Sequence, residues 1–283
     1  MRVVRTIGEL RALLAPERRA GRTIGFVPTM GAFHDGHLSL MRRARERCDV
    51  VVTSLFVNPT QFNDAADLDA YPRDEARDAR MAEAVGVDLL FAPGVAELYP
   101  PGFATRVVVR GVSEPLEGAQ RGPGHFAGVA TVVAKLLNIV GPDVAFFGQK
   151  DAQQALVVRR LARDLDLPVE IEVCPTVREP DGLAMSSRNV RLVGPARAQA
   201  LALRRGLDAA ERAVRDGERS AGRVEAAGRA AMAALDVEPE YFAVASADTL
   251  APMDGTLHGE VLVAVAARVA GVRLIDNVLL RIE

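Results

Sequence analysis

The sequence predicts an α/β protein with a doubly wound, mostly parallel sheet, followed by a smaller α+β domain with a short antiparallel sheet. Three observations carry this. Strand-like and helix-like segments alternate through residues 1–175. Several strand segments are nearly continuous β-branched runs, such as Val50-Val51-Val52-Thr53-Ser54-Leu55-Phe56-Val57, the pattern of strands covered on both faces. Past residue 175 the alternation stops, and an Ala-, Arg- and Glu-rich helical stretch gives way to three strand-like segments. The division falls near residues 175–177, giving domains of residues 1–176 and 177–283.

In order along the chain, Thr6 is placed to cap a helix over residues 7–14. Thr23-Ile24-Gly25-Phe26-Val27 reads as a buried strand, and a helix begins near His37. The strand ending at Val57 stops at Asn58-Pro59, because proline biases its predecessor away from helix. A charged helix is expected over residues 73–85, then strands over 88–92 and 106–110. Residues 126–140 read as a helix with a wide stripe of Val129, Val132, Val133, Leu136, Leu137 and Val140. A short strand (143–147), a helix (151–165) and a strand (169–173) complete the first domain. Residues 194–235 read as two helices broken near Asp216-Gly217, and 241–245, 261–267 and 272–280 as strands.

The composition, 49% hydrophobic and 25% charged over 283 residues, suits a folded enzyme and argues against disorder. A net charge of −2 gives no electrostatic reason to expect nucleic acid or an anionic membrane as partner. No apolar run approaches the ~18 residues of a membrane span. The N-terminus lacks a signal-peptide core, so cytoplasmic residence is expected. Cys48 and Cys174, far apart and without a companion His cluster, read as reduced core residues. Of 35 basic residues only Lys135 and Lys150 are lysine, which marks both as places where a flexible point charge suits better than a planar fork.

The strongest chemical signal is Pro28-Thr29-Met30-Gly31-Ala32-Phe33-His34-Asp35-Gly36-His37, a strand end, a glycine-containing turn and a helix start. Backbone N–H groups and the positive end of the helix dipole converge at such a junction, which suits a phosphate. His34 and His37 lie about one turn apart and share a face. A zinc reading would need further ligands, and the sequence offers no obvious set; both G-x-x-x-x-G-K-[ST] and a correctly spaced G-x-G-x-x-G are absent. Gly148-Gln149-Lys150-Asp151-Ala152-Gln153-Gln154 closes one strand and opens a helix, placing Lys150 for a phosphate and Asp151 for a ribose hydroxyl. Asn58-Pro59-Thr60-Gln61-Phe62 closes another and offers two amides, though a turn-forming Asn-Pro explains Asn58 equally well. Lys135 interrupts an apolar helix and reads as a snorkelling or solvated side chain. Arg178-Glu179-Pro180-Asp181-Gly182 marks a turn, and Met185-Ser186-Ser187-Arg188-Asn189 gathers hydroxyls, a guanidinium and an amide at the domain boundary.

Together these stretches resemble the pantothenate synthetase (pantoate–β-alanine ligase) family within the H-x-G-H nucleotidyltransferases. The matching motifs are residues 28–37, 56–62, Tyr71-Pro72-Arg73, 125–129, 146–154 and 178–189. Phe33 stands where the family usually has leucine. The stretch Arg121-Gly122-Pro123-Gly124-His125 is one residue longer than in some relatives, so no role is carried onto Arg121.

The resemblance implies a Rossmann-like domain that binds ATP and pantoate, a C-terminal lid domain, and condensation of pantoate with β-alanine through pantoyl adenylate. It implies Mg2+ with the ATP, and a homodimer formed through the N-terminal domain. His34 and His37 would contact the ATP phosphates and stabilise the pentavalent α-phosphate. Lys150, Ser186, Ser187 and Arg188 would grip the phosphates; Gly148 and Asp151 would hold the ribose. Met30, Val177 and Met185 would complete the ATP contacts, Val177 near the adenine through its backbone. Gln61 and Gln154 would hydrogen-bond pantoate, with Met30 and Phe62 as its apolar wall. Asn58 would lie near pantoate or the phosphates, and His125 and Tyr71 near the site.

Three rivals exist. An H-x-G-H nucleotidyltransferase would keep AMP in a stable product. A class I aminoacyl-tRNA synthetase would show a tRNA-binding domain or basic bias. A non-catalytic nucleotide-binding module would leave Met185-Ser186-Ser187-Arg188-Asn189 without a purpose.

Overall fold

The structure, a computed structural model, describes residues 1–62 and 65–282. Two compact units emerge: Met1–Gly148 with Gln154–Pro175, and Gln149–Gln153 with Thr176–Glu283.

The first unit runs β1 (Arg2–Val4), α1 (Ile7–Arg19), β2 (Ile24–Thr29), α2 (Asp35–Arg47), β3 (Val50–Leu55), α3 (Ala65–Asp69), α4 (Glu75–Ala84), β4 (Leu89–Phe91), α5 (Val95–Leu98), α6 (Glu117–Arg121), α7 (Pro123–Val140), β5 (Val144–Gly148), α8 (Ala152–Asp164) and β6 (Glu170–Cys174). Its six strands are all parallel in the order β1-β4-β3-β2-β5-β6. Parallel pairing needs crossovers, and these place helices over both faces, which is why β3 is a run of buried Val50, Val51, Val52, Thr53 and Ser54. From β2 the chain moves outward through β3 and β4, then returns to place β5 on the other side of β2. Ligands of open α/β sheets bind where the strand order reverses, beyond the carboxyl ends, here those of β2 and β5.

Differences from the sequence reading have physical causes. Residues 106–110 form no strand, because β-branched composition supplies propensity but the segment has no ladder partner among the described residues; Val107 N instead donates to Thr131 Oγ1 at 2.9 Å. Helix α1 continues through Pro16 to Arg19 instead of stopping at residue 14. Proline there forfeits the bond to the Ala12 carbonyl and its ring crowds that carbonyl, but Ala12 is exposed, so water can take the carbonyl up. Lys135 Nζ lies 4.6 Å from the centre of the Phe103 ring, a cation–π contact. Cys48 and Cys174 are free and buried, and burial pushes the Cys174 thiol up to about 11. Helix α7 is long and apolar enough to span a bilayer, but 72% of it is buried inside the fold, as expected of a core helix.

The second unit carries α9 (Pro195–Ala200), α10 (Ala202–Arg215), α11 (Ala221–Ala233), β7 (Pro239–Ser246), β8 (Gly259–Val269) and β9 (Val272–Ile282). The strands form an antiparallel sheet in the order β7-β8-β9. Leu203, Leu207, Ala210 and Val214 of α10 pack with Val261, Val263 and Val265 of β8 in one core. Three helices replace the two read from sequence, since regular helical bonding breaks at Leu201, the shared cap of α9 and α10.

Candidate active site

In the first unit the turn after β2 is pinned from below. Gly31 and Ala32 both have positive φ (86° and 53°), a conformation that costs Ala32 strain and suits Gly31. Asp78 of α4, only 1% exposed, compensates by accepting from Ala32 N at 2.7 Å and Phe33 N at 2.8 Å. Arg77 Nη1 donates to the Phe33 carbonyl at 3.1 Å. The turn delivers His34 to the N-cap of α2, two residues earlier than the helix start read from sequence requires.

The two histidines form the capping box of α2. His34 Nδ1 accepts from Gly36 N at 3.2 Å, and His37 Nδ1 accepts from His34 N at 3.4 Å. Their rings lie 4.1 Å apart, centre to centre. A neutral imidazole whose Nδ1 accepts carries its proton on Nε2. Both rings are therefore Nε2–H donors at the positive end of α2, suited to anionic oxygens.

Beyond β3, Asn58 is 1% exposed and organises its neighbours. Its Oδ1 accepts from Tyr99 Oη and Thr60 Oγ1, both at 2.9 Å, while its Nδ2 donates to Gln61 Oε1 at 3.0 Å and the Gly128 carbonyl at 3.2 Å. Gln61 Nε2 in turn lies 3.1 Å from Met30 Sδ, so three residues singled out for pantoate converge: Met30, Asn58 and Gln61. His125 Nδ1 meets the Gln61 carbonyl at 2.9 Å, which makes that nitrogen the donor. Phe62 packs edge-on against Tyr71, ring centres 5.7 Å apart. Gly128 of α7 allows this close approach: a Cβ there would fall 2.4 Å from the Thr60 carbonyl oxygen. Gln154 sits half-buried in the first turn of α8. Gly148 ends β5, and a Cβ built on it meets no described atom within 4 Å.

In the second unit, Gln149-Lys150-Asp151 form a 3-10 turn, with Lys150 Nζ 3.9 Å from Asp151 Oδ1. The segment from Val177 to Met185 is a hairpin closed by Met185 N to the Val177 carbonyl at 3.0 Å and by the Arg178–Ala184 bridge. Gly182, at φ 96°, turns its tip. Arg197 Nη2 meets Glu179 Oε2 at 2.7 Å and Asp181 Oδ2 at 2.6 Å. Arg197, aided by the Asn189 amide and opposed by burial, holds the Glu179 carboxyl below its usual range. Asn189, buried, ties the following 3-10 turn (Ser187–Arg191) to Glu179 Oε1 at 2.6 Å and to the Ala184 carbonyl at 3.0 Å. Ser186 caps that turn by accepting from Arg188 N at 3.2 Å. Val177, Met185, Ser186, Ser187 and Arg188 thus sit on one braced hairpin and turn. Among the described residues, no three His, Cys, Asp or Glu side chains gather to hold a metal ion.

Sequence reasoning missed Asp78, Tyr99, Asp276 and Asn277. Asp78 carries no signal, since Glu75, Arg77 and Arg80 surround it in a charged helix. Asp276-Asn277 could have been found: two polar residues interrupt an otherwise apolar strand, Leu274-Ile275-Asp276-Asn277-Val278-Leu279-Leu280.

Comparison with known proteins gives one consistent result. Residues 2–279 match the family model described as Pantoate-beta-alanine ligase. A pantothenate synthetase of Cereibacter sphaeroides is 56% identical over 98% of each chain, and one of Pelotomaculum thermopropionicum is 52% identical over 99% of each. Among solved structures, pantothenate synthetase from Thermus thermophilus superposes with a TM-score of 0.92 at 50% identity, covering 98% of this chain and 99% of that one. A pantoate-beta-alanine ligase from Francisella tularensis, solved with beta-gamma ATP and beta-alanine, gives 0.77 at 33% identity, covering 99% and 97%.

Proposed function

The chain belongs to the pantoate–beta-alanine ligase family, and from that premise we propose that its ATP-dependent condensation of pantoate with β-alanine runs through a pantoyl adenylate. A pantoate carboxylate oxygen attacks the α-phosphorus, the bond to the bridging oxygen breaks, and pyrophosphate leaves. The β-alanine amine then attacks the activated carbonyl; the C–N bond forms, the C–O bond to the phosphate breaks, the nitrogen loses a proton and AMP leaves. The first nucleophile is already ionised, so the protein's contribution is orientation and charge stabilisation.

The observation that supports this most directly is the α2 capping box, which makes His34 and His37 two Nε2–H donors at a helix N-terminus. Their role is to contact the ATP phosphates and stabilise charge on the pentavalent α-phosphate. Lys150 and Arg188 supply positive charge to the phosphates, with Ser186 and Ser187 as hydroxyl partners. Gly148 and Asp151 take the ribose, where the open space at the Gly148 Cα suits close approach of a ligand. Val177 and Met185 complete the nucleotide contacts. Gln61 and Gln154 bind pantoate, with Met30 and Phe62 as apolar wall, and Asn58 acts through Gln61. Mg2+ would come with ATP as part of the co-substrate and would neutralise phosphate charge beside Lys150 and Arg188. The free, buried cysteines support cytoplasmic work, and the exposed residues 103–106 offer backbone for a homodimer contact.

ATP–pyrophosphate exchange tests the reading. Exchange should require pantoate and not β-alanine, and AMP should accumulate once β-alanine is added. Removing one charge-stabilising donor costs about 3 kcal/mol, or about a hundredfold in rate. Lys150→Ala should therefore lose most exchange, and near-normal exchange would refute its role. Gln61→Ala should raise the pantoate requirement and leave ATP binding nearly intact.

A further inference from the structure

We infer that Asp276 and Asn277, neighbours on β9, are positioning residues that hold the phosphate-gripping segments of the second unit in register. Asn277 fixes the main chain at Lys150, and Asp276 fixes Arg178 at the base of the hairpin that leads into Ser186-Ser187-Arg188. The inference rests on the roles proposed above for those segments.

Both side chains are almost wholly buried, 3% and 5% exposed, and Asp276 shares its face of the strand with the apolar Val272, Leu274, Val278, Leu280 and Ile282. Asp276 lies opposite Val265 and Asn277 opposite Ala264 on β8, so the two point to opposite faces of the sheet. On one face Asp276 takes a bidentate pair from Arg178, with Nη1 to Oδ2 at 2.6 Å and Nη2 to Oδ1 at 3.0 Å. Arg178 Nη1 also donates to the Gly182 carbonyl at 3.2 Å, so one guanidinium ties the strand to the hairpin tip. On the other face Asn277 Nδ2 donates to two consecutive carbonyls, Gln149 O and Lys150 O, both at 3.0 Å. Its Oδ1 accepts from Gln149 Nε2 at 2.8 Å.

Every side-chain bond described for Asn277 is therefore spent on the turn that carries Lys150. Valine or isoleucine would fill these strand positions without the cost of burying polar atoms. What valine lacks is the ability to hold two carbonyls of a short 3-10 turn at fixed positions. A flexible lysine benefits most from such a hold, since its own stem fixes nothing.

The test is a double-mutant cycle in the full-length enzyme, read by pantoate-dependent ATP–pyrophosphate exchange. Asn277→Asp keeps the shape but turns an acceptor towards two carbonyls. It should lower the exchange kcat by tenfold or more while the pantoate KM stays within about twofold. Combined with Lys150→Ala, it should add less than about twofold to the loss that Lys150→Ala causes alone. Should the carboxylate prevent folding, Asn277→Ser, with one hydroxyl donor, carries the same cycle. Wild-type exchange in the Asn277 variant while Lys150→Ala has lost it overturns the inference, as does a full multiplication of the two losses. Wild-type exchange in Lys150→Ala instead overturns the role of Lys150 itself, and the inference with it.

Discussion

Gly128→Ala should uncouple the pantoate-binding turn from its support. The added Cβ would sit 2.4 Å from the Thr60 carbonyl oxygen, 2.6 Å from the Thr60 carbonyl carbon and 2.8 Å from Gln61 N. All three are backbone atoms, so no rotamer change relieves the clash, and reaching ordinary contact near 3.5 Å requires the turn to move by about 1 Å from α7. Overpacking of this kind costs about 1–3 kcal/mol. At about 2–4 °C per kcal/mol, a loss of 2 kcal/mol lowers the thermal midpoint by about 4–8 °C. The same shift pulls Asn58 Nδ2 from the Gly128 carbonyl, now 3.2 Å away, and carries Gln61 with it. Forfeiting one neutral hydrogen bond to substrate is worth about 0.5–1.5 kcal/mol, so the pantoate KM should rise about 2- to 12-fold. The ATP KM should stay within about twofold. Calorimetry and exchange kinetics at varied pantoate give both numbers. A variant with unchanged midpoint and unchanged pantoate KM would refute the close packing of α7 on residues 59–61 as the support of Gln61.

Asp78→Ala removes the acceptor of the Ala32 and Phe33 N–H groups and should cost on the order of 3 kcal/mol, with exchange falling in the fraction that stays folded; Asp78→Asn, which keeps one acceptor, should lose less on both counts. Gly148→Ala should leave the thermal midpoint within about 2 °C, because a Cβ there meets no described protein atom, and raise the ATP KM if ribose packs against that face. Neither Cys48 nor Cys174 should react with a thiol reagent at pH 8 until the protein is unfolded. Burial raises Cys174 to about 11 from an unfolded value of about 9.0, so its contribution to stability is full below pH 9 and is lost as the pH rises towards 11; Cys174→Ala should flatten that alkaline slope in a melting series.

Much of the architecture was legible because periodicity and turn residues report local structure. The β-branched run of β3 and the apolar stripe of α7 each match an observed element, whereas β3 ends at Leu55, before the expected stop at Asn58-Pro59, which instead opens a 3-10 turn. Residues 106–110 show where that logic ends: three consecutive valines satisfy strand propensity, but a strand needs a neighbour, and none is encoded locally. Three-residue β1 drew no reading from the sequence for the opposite reason, being an edge strand defined by its pairing with β4 and too short to show a period. At the site, the histidine motif and Lys150 stood out by residue type and position. The residues that brace them did not. Asp78 looks like any carboxylate of a charged helix until α4 is seen under the 31–33 turn. Asn58, read as a ligand amide or equally as a turn residue, is engaged not only by nearby Thr60 and Gln61 but by Tyr99 and Gly128, 41 and 70 positions distant. Long-range partners of this kind have no sequence spacing, so only the polar break at Asp276-Asn277 left a readable trace.

The pantoyl adenylate is tested most directly by isotope transfer. Pantoate labelled with 18O in its carboxylate, turned over with ATP and β-alanine, should deliver one labelled oxygen to the phosphate of AMP for each pantothenate formed. AMP free of label, or label found instead in inorganic phosphate or pyrophosphate, would contradict attack of that carboxylate on the α-phosphorus.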